Sequence, residues 1–394
     1  ATALLVALLC ISVWDVSARE SAKTRWLADA RDMLQRHGEQ VYMQNIPSAA
    51  LLSKHPAVLQ EGLVMTRRRP MLSHHSSSVV ELPTGGLMVT WFGGTYEGES
   101  DVGIWTSTLD TNSTVWSDPS EVVAPTAGAC WNPVLFYHAA TRQLMLFYKV
   151  GESPTSWRGF LKLSKDAGRT WEDAVALPLP IMGPSKNKPI ELRDGTIVVG
   201  TSDEGGPTGE DWSIWIERSN DGGVNWERIG PVKHTMSSMI QPALFLDQAG
   251  KLRMAMRTKK KVLGLVVGDE EGVNWSAARL LPNVHNPNSG LDAVTLTDSR
   301  VVMVYNRSQK RGIAGRTNLD VAVSSDGGET WRHVLTLEAA PHSRNEFSYP
   351  AVIEGNDGLL HITYTWGRHN IKYVRLDPKH LMPQSRLSSR GADM

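Results

Sequence analysis

The chain has 394 residues, with 41 Lys+Arg against 41 Asp+Glu and a formal net charge of +0. That balance excludes the charge excess expected of a nucleic-acid or anionic-membrane binder, and 41% hydrophobic with 21% charged residues excludes a disordered chain. Only Cys10 and Cys130 occur, which excludes a disulfide-stapled scaffold and a four-cysteine zinc site.

The first element is an apolar run, ATALLVALLCISVW, over residues 1–14. It is short for a bilayer span and has the character of a secretory h-region, with Val16-Ser17-Ala18 as a small-residue cleavage site. Residues 1–18 are therefore expected to be a leader, with a buried N-terminal helix as the alternative; the protein is expected to be secreted, with no stable membrane span. Residues 19–62 are expected to form a helical extension, because Trp26, Leu27, Ala30, Met33, Leu34 and Val41 recur at helical spacing. The main fold is placed at 63–380, with 381–394 a polar tail that frays.

Two repeats run through the main fold. SKDAGRTW, SNDGGVNW and SSDGGETW all read S-x-D-x-G-x-x-W, ending at Trp171, Trp226 and Trp331. Worn copies end at Trp275, with Glu270 at the Asp position, and at Trp116. Interleaved with them are six copies of an apolar strand, a turn and a second apolar strand, starting at Ser76, Asn132, Lys188, Gln241, Ser289 and Tyr349. A period of about 50 residues holds four antiparallel strands, which is one propeller blade. Six hairpins predict an all-β, six-bladed β-propeller. In the octapeptide turn the Asp accepts backbone N–H bonds and the glycine supplies a positive φ, so the turn is read as structural.

Strand alternation then locates a site. The start of each first strand and the end of each second strand share one face, and the octapeptide turns lie on the other. His74, His75, Asn132, Lys186, Asn187, Lys188, Asn288 and Asp292 stand at first-strand starts and make a polar funnel. Trp157, Trp212 and Trp366 follow second strands, either stacking on sugar faces or plugging blades.

With three clear Asp-boxes and six such hairpins, residues 65–377 resemble the sialidase superfamily of six-bladed propellers. The resemblance implies a carbohydrate-active enzyme with an arginine triad for the substrate carboxylate, a tyrosine nucleophile paired with a glutamate, and an aspartate as general acid. Carried over residue by residue, the second and third arginines resemble Arg257 in LRMAMR and Arg316 in GRTNLD, and the nucleophile resembles Tyr349 in FSYPAV. The slot of the first arginine holds His75, with Arg67, Arg68 and Arg69 further upstream; the slot of the glutamate falls at Gln241; the acid is sought among Glu97, Glu99 and Asp101.

These departures leave three readings open. The first is exo-sialidase-like hydrolysis, with Tyr349, His75, Glu97 and Asp101 as catalytic candidates and Arg257, Arg316, His74, Asn132, Lys188, Gln241, Asn288 and Asp292 as substrate-binding candidates. The second is a polysaccharide lyase acting by β-elimination beside a uronic acid, with His75 or His74 as base and Tyr349 as acid. The third is a non-catalytic glycan-binding propeller. All expect an anionic glycan as partner and no nucleic acid. No cofactor and no metal are implied: the histidine pair lacks a third ligand at suitable spacing, and the acidic residues Asp203, Glu204, Glu210 and Asp211 do not match a calcium loop. Sequons at Asn112, Asn274 and Asn306 agree with secretion.

Overall fold

The protein is described by a computed structural model over residues 55–67, 70–205, 211–234, 238–340 and 345–381. The expected leader, the helical pattern of residues 22–43, Arg68, Arg69 and Glu210 lie outside the described residues, as does the tail beyond Leu381.

Among the described residues, twenty-four strands form six antiparallel four-stranded sheets. Strand β1 (Val58–Leu63) comes first in the chain. The first blade is β2 (Ser73–Glu81), β3 (Leu87–Gly94), β4 (Gly103–Leu109) and β5 (Ser120–Val123). The second is β6 (Cys130–His138), β7 (Gln143–Val150), β8 (Arg158–Ser164) and β9 (Val175–Ala176). The third is β10 (Ile190–Glu191), β11 (Ile197–Gly205), β12 (Asp211–Ser219) and β13 (Glu227–Ile229). The fourth is β14 (Met239–Leu246), β15 (Leu252–Thr258), β16 (Val262–Val267) and β17 (Arg279–His285). The fifth is β18 (Asp292–Thr295), β19 (Val301–Tyr305), β20 (Asn318–Ser324) and β21 (Arg332–Ala339). The sixth is β22 (Phe347–Glu354), β23 (Leu360–Trp366) and β24 (Asn370–Leu376), completed by β1 at its outer edge. The propeller therefore begins before residue 63: Val58–Leu63 pairs antiparallel with Leu376–Lys372 and closes the ring. The N-terminal strand saturates the edge that β24 would otherwise expose.

Burial explains why the blades are apolar on both faces. The described residues hold six hydrophobic clusters, and each spans one interface between neighbouring blades. Phe147 of the second blade meets Ile197 and Val199 of the third, and Val89 and Trp91 of the first meet Ile371 and Tyr373 of the sixth. One blade alone has no partner for these side chains, so the ring is the unit that hides them.

The Asp-boxes close as sequence reading expects. Asp166, Asp221 and Asp326 each accept the backbone N–H four residues on, at 2.8, 2.9 and 2.9 Å. Ser164, Ser219 and Ser324 take the box glycine's N–H, each at 2.8 Å. Trp226 packs edge-on against Phe147, and Trp331 against Phe245, on the preceding blades. The worn copy differs in register: Asp269, not Glu270, accepts the N–H groups of Val273 and Asn274. That turn carries one extra residue between acid and tryptophan. The register also fixes the faces. Ser164 pairs with Leu144 at one end of the second blade, while Cys130 pairs with Val150 at the other. The boxes thus lie on the face opposite the first-strand starts.

Candidate functional site

The inner strands of four blades share a local distortion. Ser76, Asn132, Gln241 and Tyr349 have φ of 57, 36, 54 and 52°, each within a register shift of its first strand. Asn288, just ahead of β18, has φ 63°. A bulge re-aims side chains at a strand end, and a left-handed non-glycine residue costs roughly 1–2 kcal/mol that its surroundings must offset. Three of these residues, Gln241, Asn288 and Tyr349, meet at one point.

That point is Arg257, at the end of β15. Its Nη1 donates to Tyr349 Oη at 3.0 Å and to Gln241 Oε1 at 3.1 Å, and its Nε donates to Asn288 Oδ1 at 2.7 Å. Gln241 Nε2 lies 3.4 Å from the same phenol oxygen. Every partner of Arg257 is an uncharged oxygen, and its Nη2 has no hydrogen-bond partner among the described residues. The guanidinium also lies 5.8 Å from the centre of the Trp212 ring, over which Lys259 Nζ sits at 4.3 Å.

A second cluster flanks Tyr349 on its other side. Arg316 stands 5.4 Å over the phenol ring and donates to Glu346 Oε1 at 2.8 Å. Glu346 Oε2 receives Arg368 Nε at 2.6 Å, and Ser348 Oγ donates to Oε1 at 2.6 Å. Arg368 also binds Glu97 at 2.6 Å. Burial opposes ionisation of Glu346, but Arg368 and Arg316 outweigh it and hold the carboxyl well below its usual range. In Glu97, too, burial is outweighed by Arg368, so the group stays a carboxylate. Two arginines and two glutamates therefore cancel, and Arg257 is left as the uncompensated charge of the pair of clusters.

Neither Arg368 nor Glu346 was singled out from sequence. Both obey the placement rule that sequence reading supplies: Arg368 follows the second strand of the sixth blade, and Glu346 precedes its first. Arg368 reaches the place where the blade-one slot holds His75, its Nη2 lying 3.4 Å from His75 Nε2.

The other expected site residues divide clearly. His75 lines the cluster, its ring 4.3 Å from that of Tyr349. Its Nδ1 contacts Thr365 Oγ1 at 2.9 Å. Burial first, and Arg368 second, push its pKa down to about 3. A neutral imidazole whose lone pair faces a guanidinium takes a proton less readily than a free one. His74 is fully buried and packs structurally: Trp91 Nε1 donates to its Nδ1 at 2.9 Å, and its Nε2 is 2.9 Å from Met71 O. Asp101 staples its loop, accepting Thr95 N at 3.0 Å and Thr95 Oγ1 at 2.6 Å. Asn132 donates to Ser185 O at 3.1 Å. Lys188 and Asp292 pair at 2.9 Å, and Asp292 also accepts Val352 N at 2.9 Å, which ties blades three, five and six together. Lys186 reaches the carbonyls of Leu291 and Pro350, and burial pushes its pKa to about 7. Trp157 and Trp366 are buried plugs, Trp157 lying 5.5 Å from Trp131. Among the described residues no group of three His, Cys, Asp or Glu is placed to hold a metal ion. No helix of the described residues is long and apolar enough to cross a membrane.

A ring of six four-stranded blades with Asp-boxes on one face and arginines at the inner strand ends of the other defines a six-bladed β-propeller of the Asp-box class. The chain belongs to the family of the BNR repeat-like domain, whose pattern matches residues 85–362. Its fold is shared by a protein of unknown function from Dyadobacter fermentans, 13% identical with TM-score 0.66 over 81% of this chain and 98% of that one. The Hadza microbial sialidase Hz136 is 16% identical with TM-score 0.67, covering 79% and 67%. The NanB sialidase of Streptococcus pneumoniae is 12% identical with TM-score 0.64, covering 82% and 71%. At such identities the likeness is one of fold. No curated protein sequence matches the chain.

Proposed function

We propose that this propeller takes a carboxylate-bearing sugar at Arg257 and Tyr349 and cleaves its glycosidic bond by exo-sialidase-like hydrolysis. The observation that carries this reading is the uncompensated guanidinium of Arg257, held by three neutral oxygens with Nη2 left over. A guanidinium offers two parallel donors to a carboxylate, which suits an acidic sugar better than a neutral one. The sialidases that share the fold support the choice of chemistry.

The phenol of Tyr349 is the reacting group. Its oxygen accepts from Arg257 and Gln241, so its own proton is directed toward the ligand. When that oxygen attacks the anomeric carbon, the bond from that carbon to the leaving oxygen breaks and the phenol proton passes to the leaving oxygen, which departs as an alcohol. Water then attacks the same carbon and the bond to Tyr349 breaks. Arg257 stabilises the departing phenolate, which takes back a proton from that water.

The same hydrogen-bond pattern favours a second reading, β-elimination beside a uronic acid. There Tyr349 delivers its proton to the leaving oxygen, and the base is a group other than His75. Product analysis on a panel of acidic glycans separates the two. Free sialic acid without new ultraviolet absorbance supports hydrolysis. An unsaturated-uronate band establishes elimination instead. Binding without product, on both classes of substrate, overturns the enzyme reading in favour of a glycan-binding module.

A further inference from the structure

The face on which the inner strands begin is electrically lopsided. Three segments lie on it in blades four and five: 259–261 between β15 and β16, 286–291 before β18, and 306–317 between β19 and β20. They contain Lys259, Lys260, Lys261, Arg307, Lys310 and Arg311 in addition to Arg316, and not one Asp or Glu. On blades one and two the equivalent segments carry acids instead. Residues 95–102 hold Glu97, which pairs with Arg368, with Glu99 and Asp101, residues 151–157 hold Glu152, and neither segment contains a Lys or Arg.

The basic segments form one ridge. Asn286 N donates to Lys261 O at 2.9 Å, His285 Nε2 is 2.9 Å from the Gln309 side-chain amide, and Gly315 packs directly on Pro287. Lys260, Arg307, Lys310 and Arg311 are exposed. Among the described residues none of these four, nor Lys261, has a carboxylate partner. On the opposite face, by contrast, Arg253, Arg279 and Arg300 are each matched to Asp247, Glu329 or Asp298. Unpaired like charges held side by side repel one another, and a bound polyanion relieves that repulsion.

We propose that this ridge is a docking track for a polyanionic glycan chain, sulfated or rich in uronic acid, whose terminal acidic sugar is held at Arg257. The track rests on the proposed role of Arg257 and extends it from a single sugar to a chain. The corresponding segments of blades one and two contain no Lys or Arg, so the chain lies over blades four and five. A glycan fits better than a single-stranded nucleic acid because the three segments carry no Phe, Tyr or Trp on which bases would stack.

The test is calorimetric titration with heparin fragments from disaccharide to octasaccharide, beside free N-acetylneuraminic acid and free glucuronic acid. Affinity is expected to rise about tenfold or more along the series, and to fall as salt shortens the Debye length to about 8 Å. The triple variant Lys260→Glu, Lys310→Glu, Arg311→Glu should abolish the gain with length and leave monosaccharide affinity unchanged, which also reports that it has folded. The matching triple Gln variant should lose part of the gain. A flat length series, or an octasaccharide that binds the triple Glu variant as tightly as the parent, overturns the track. So does a single-stranded RNA that binds the ridge more tightly than the octasaccharide. Monosaccharide binding without a length effect leaves the cavity reading standing and removes the track alone. Chain binding that depends on the three residues, with no monosaccharide binding, does the reverse.

Discussion

Tyr349 is held by residues from three other blades, and the outcome of its replacement separates chemistry from binding. Tyr349→Phe removes the oxygen between Arg257 and Gln241 without creating a cavity. Turnover of an acidic glycan should fall by about 100- to 10,000-fold while affinity for the intact ligand changes little. Arg257→Lys keeps the charge but loses the forked donors, so it should weaken ligand binding by about 10- to 100-fold. Unchanged affinity in Arg257→Lys would remove that residue from carboxylate recognition.

His75 carries a pH signature at the same scale. Its pKa is about 3 in the fold and near 6.5 in the unfolded chain. Between those values the unfolded chain binds more protons, so stability rises with pH across the window and is lost on acidification. One histidine contributes at most about 1.4 kcal/mol per pH unit. Glu346 and Glu97 face His75 and are themselves depressed below the normal carboxylate range, so they add a loss in the same sense only below about pH 4.5. His55 and His361, also lowered by burial, and Glu217, raised by burial to about 7, titrate in the same range, so the difference in urea midpoints between the parent and His75→Gln from pH 4.5 to 6.5 isolates this histidine. His75→Gln cannot titrate and should show the flatter profile; parallel profiles would mean that the imidazole titrates normally.

Within a blade, the Asp-box sets the spacing to its neighbour. A Cβ on Gly328 would stand 2.7 Å from Phe245 Cζ, at a φ of 86°. The phenyl ring is buried and also meets Trp331, so it has nowhere to move. Gly250 has a similar φ of 81° with nothing within 4 Å of the added Cβ. Gly250→Ala should therefore cost only the backbone term, about 1 kcal/mol, whereas Gly328→Ala should cost roughly 2–4 kcal/mol as overpacking adds to it. Denaturant midpoints of the two variants measure the difference. Equal losses would show that the boxes do not govern blade contact.

The whole ring is tied at its axis by Lys186, which runs from the third blade to carbonyls of the fifth and sixth. Burial pushes its pKa down to about 7, with Asp292 opposing and Lys188 reinforcing the shift. Between about 7 and the unfolded value near 10.5 the unfolded chain binds the extra proton, so stability should rise with pH over that window. Lys149, also near 7 and buried by the second blade, acts in the same direction. Lys186→Met should remove about half of the rise in unfolding free energy measured from pH 7 to 10. A rise of undiminished size would assign the effect elsewhere.

Sequence alone determined the blade count, the Asp-box turns and the face on which the inner strands begin. These are periodic or local features: each blade repeats one pattern, and a turn's hydrogen bonds close within a few residues, as at Asp326. Trp331 and Ser324 belong to that class. Only the tertiary structure decided which charges cancel. Glu346, Arg368 and Glu97 meet across the seam between the last blade and the first, from positions up to 271 residues apart. Pairing at such separation depends on ring closure by β1 against β24, whose register no local pattern states. The placement of His75 and His74 follows the same way: adjacent in sequence, they alternate across one strand, so one ring faces Tyr349 and the other packs against Trp91. The chemistry offered to a ligand is the sum of those long-range pairings, which leaves Arg257 uncompensated where Arg316 and Arg368 are not.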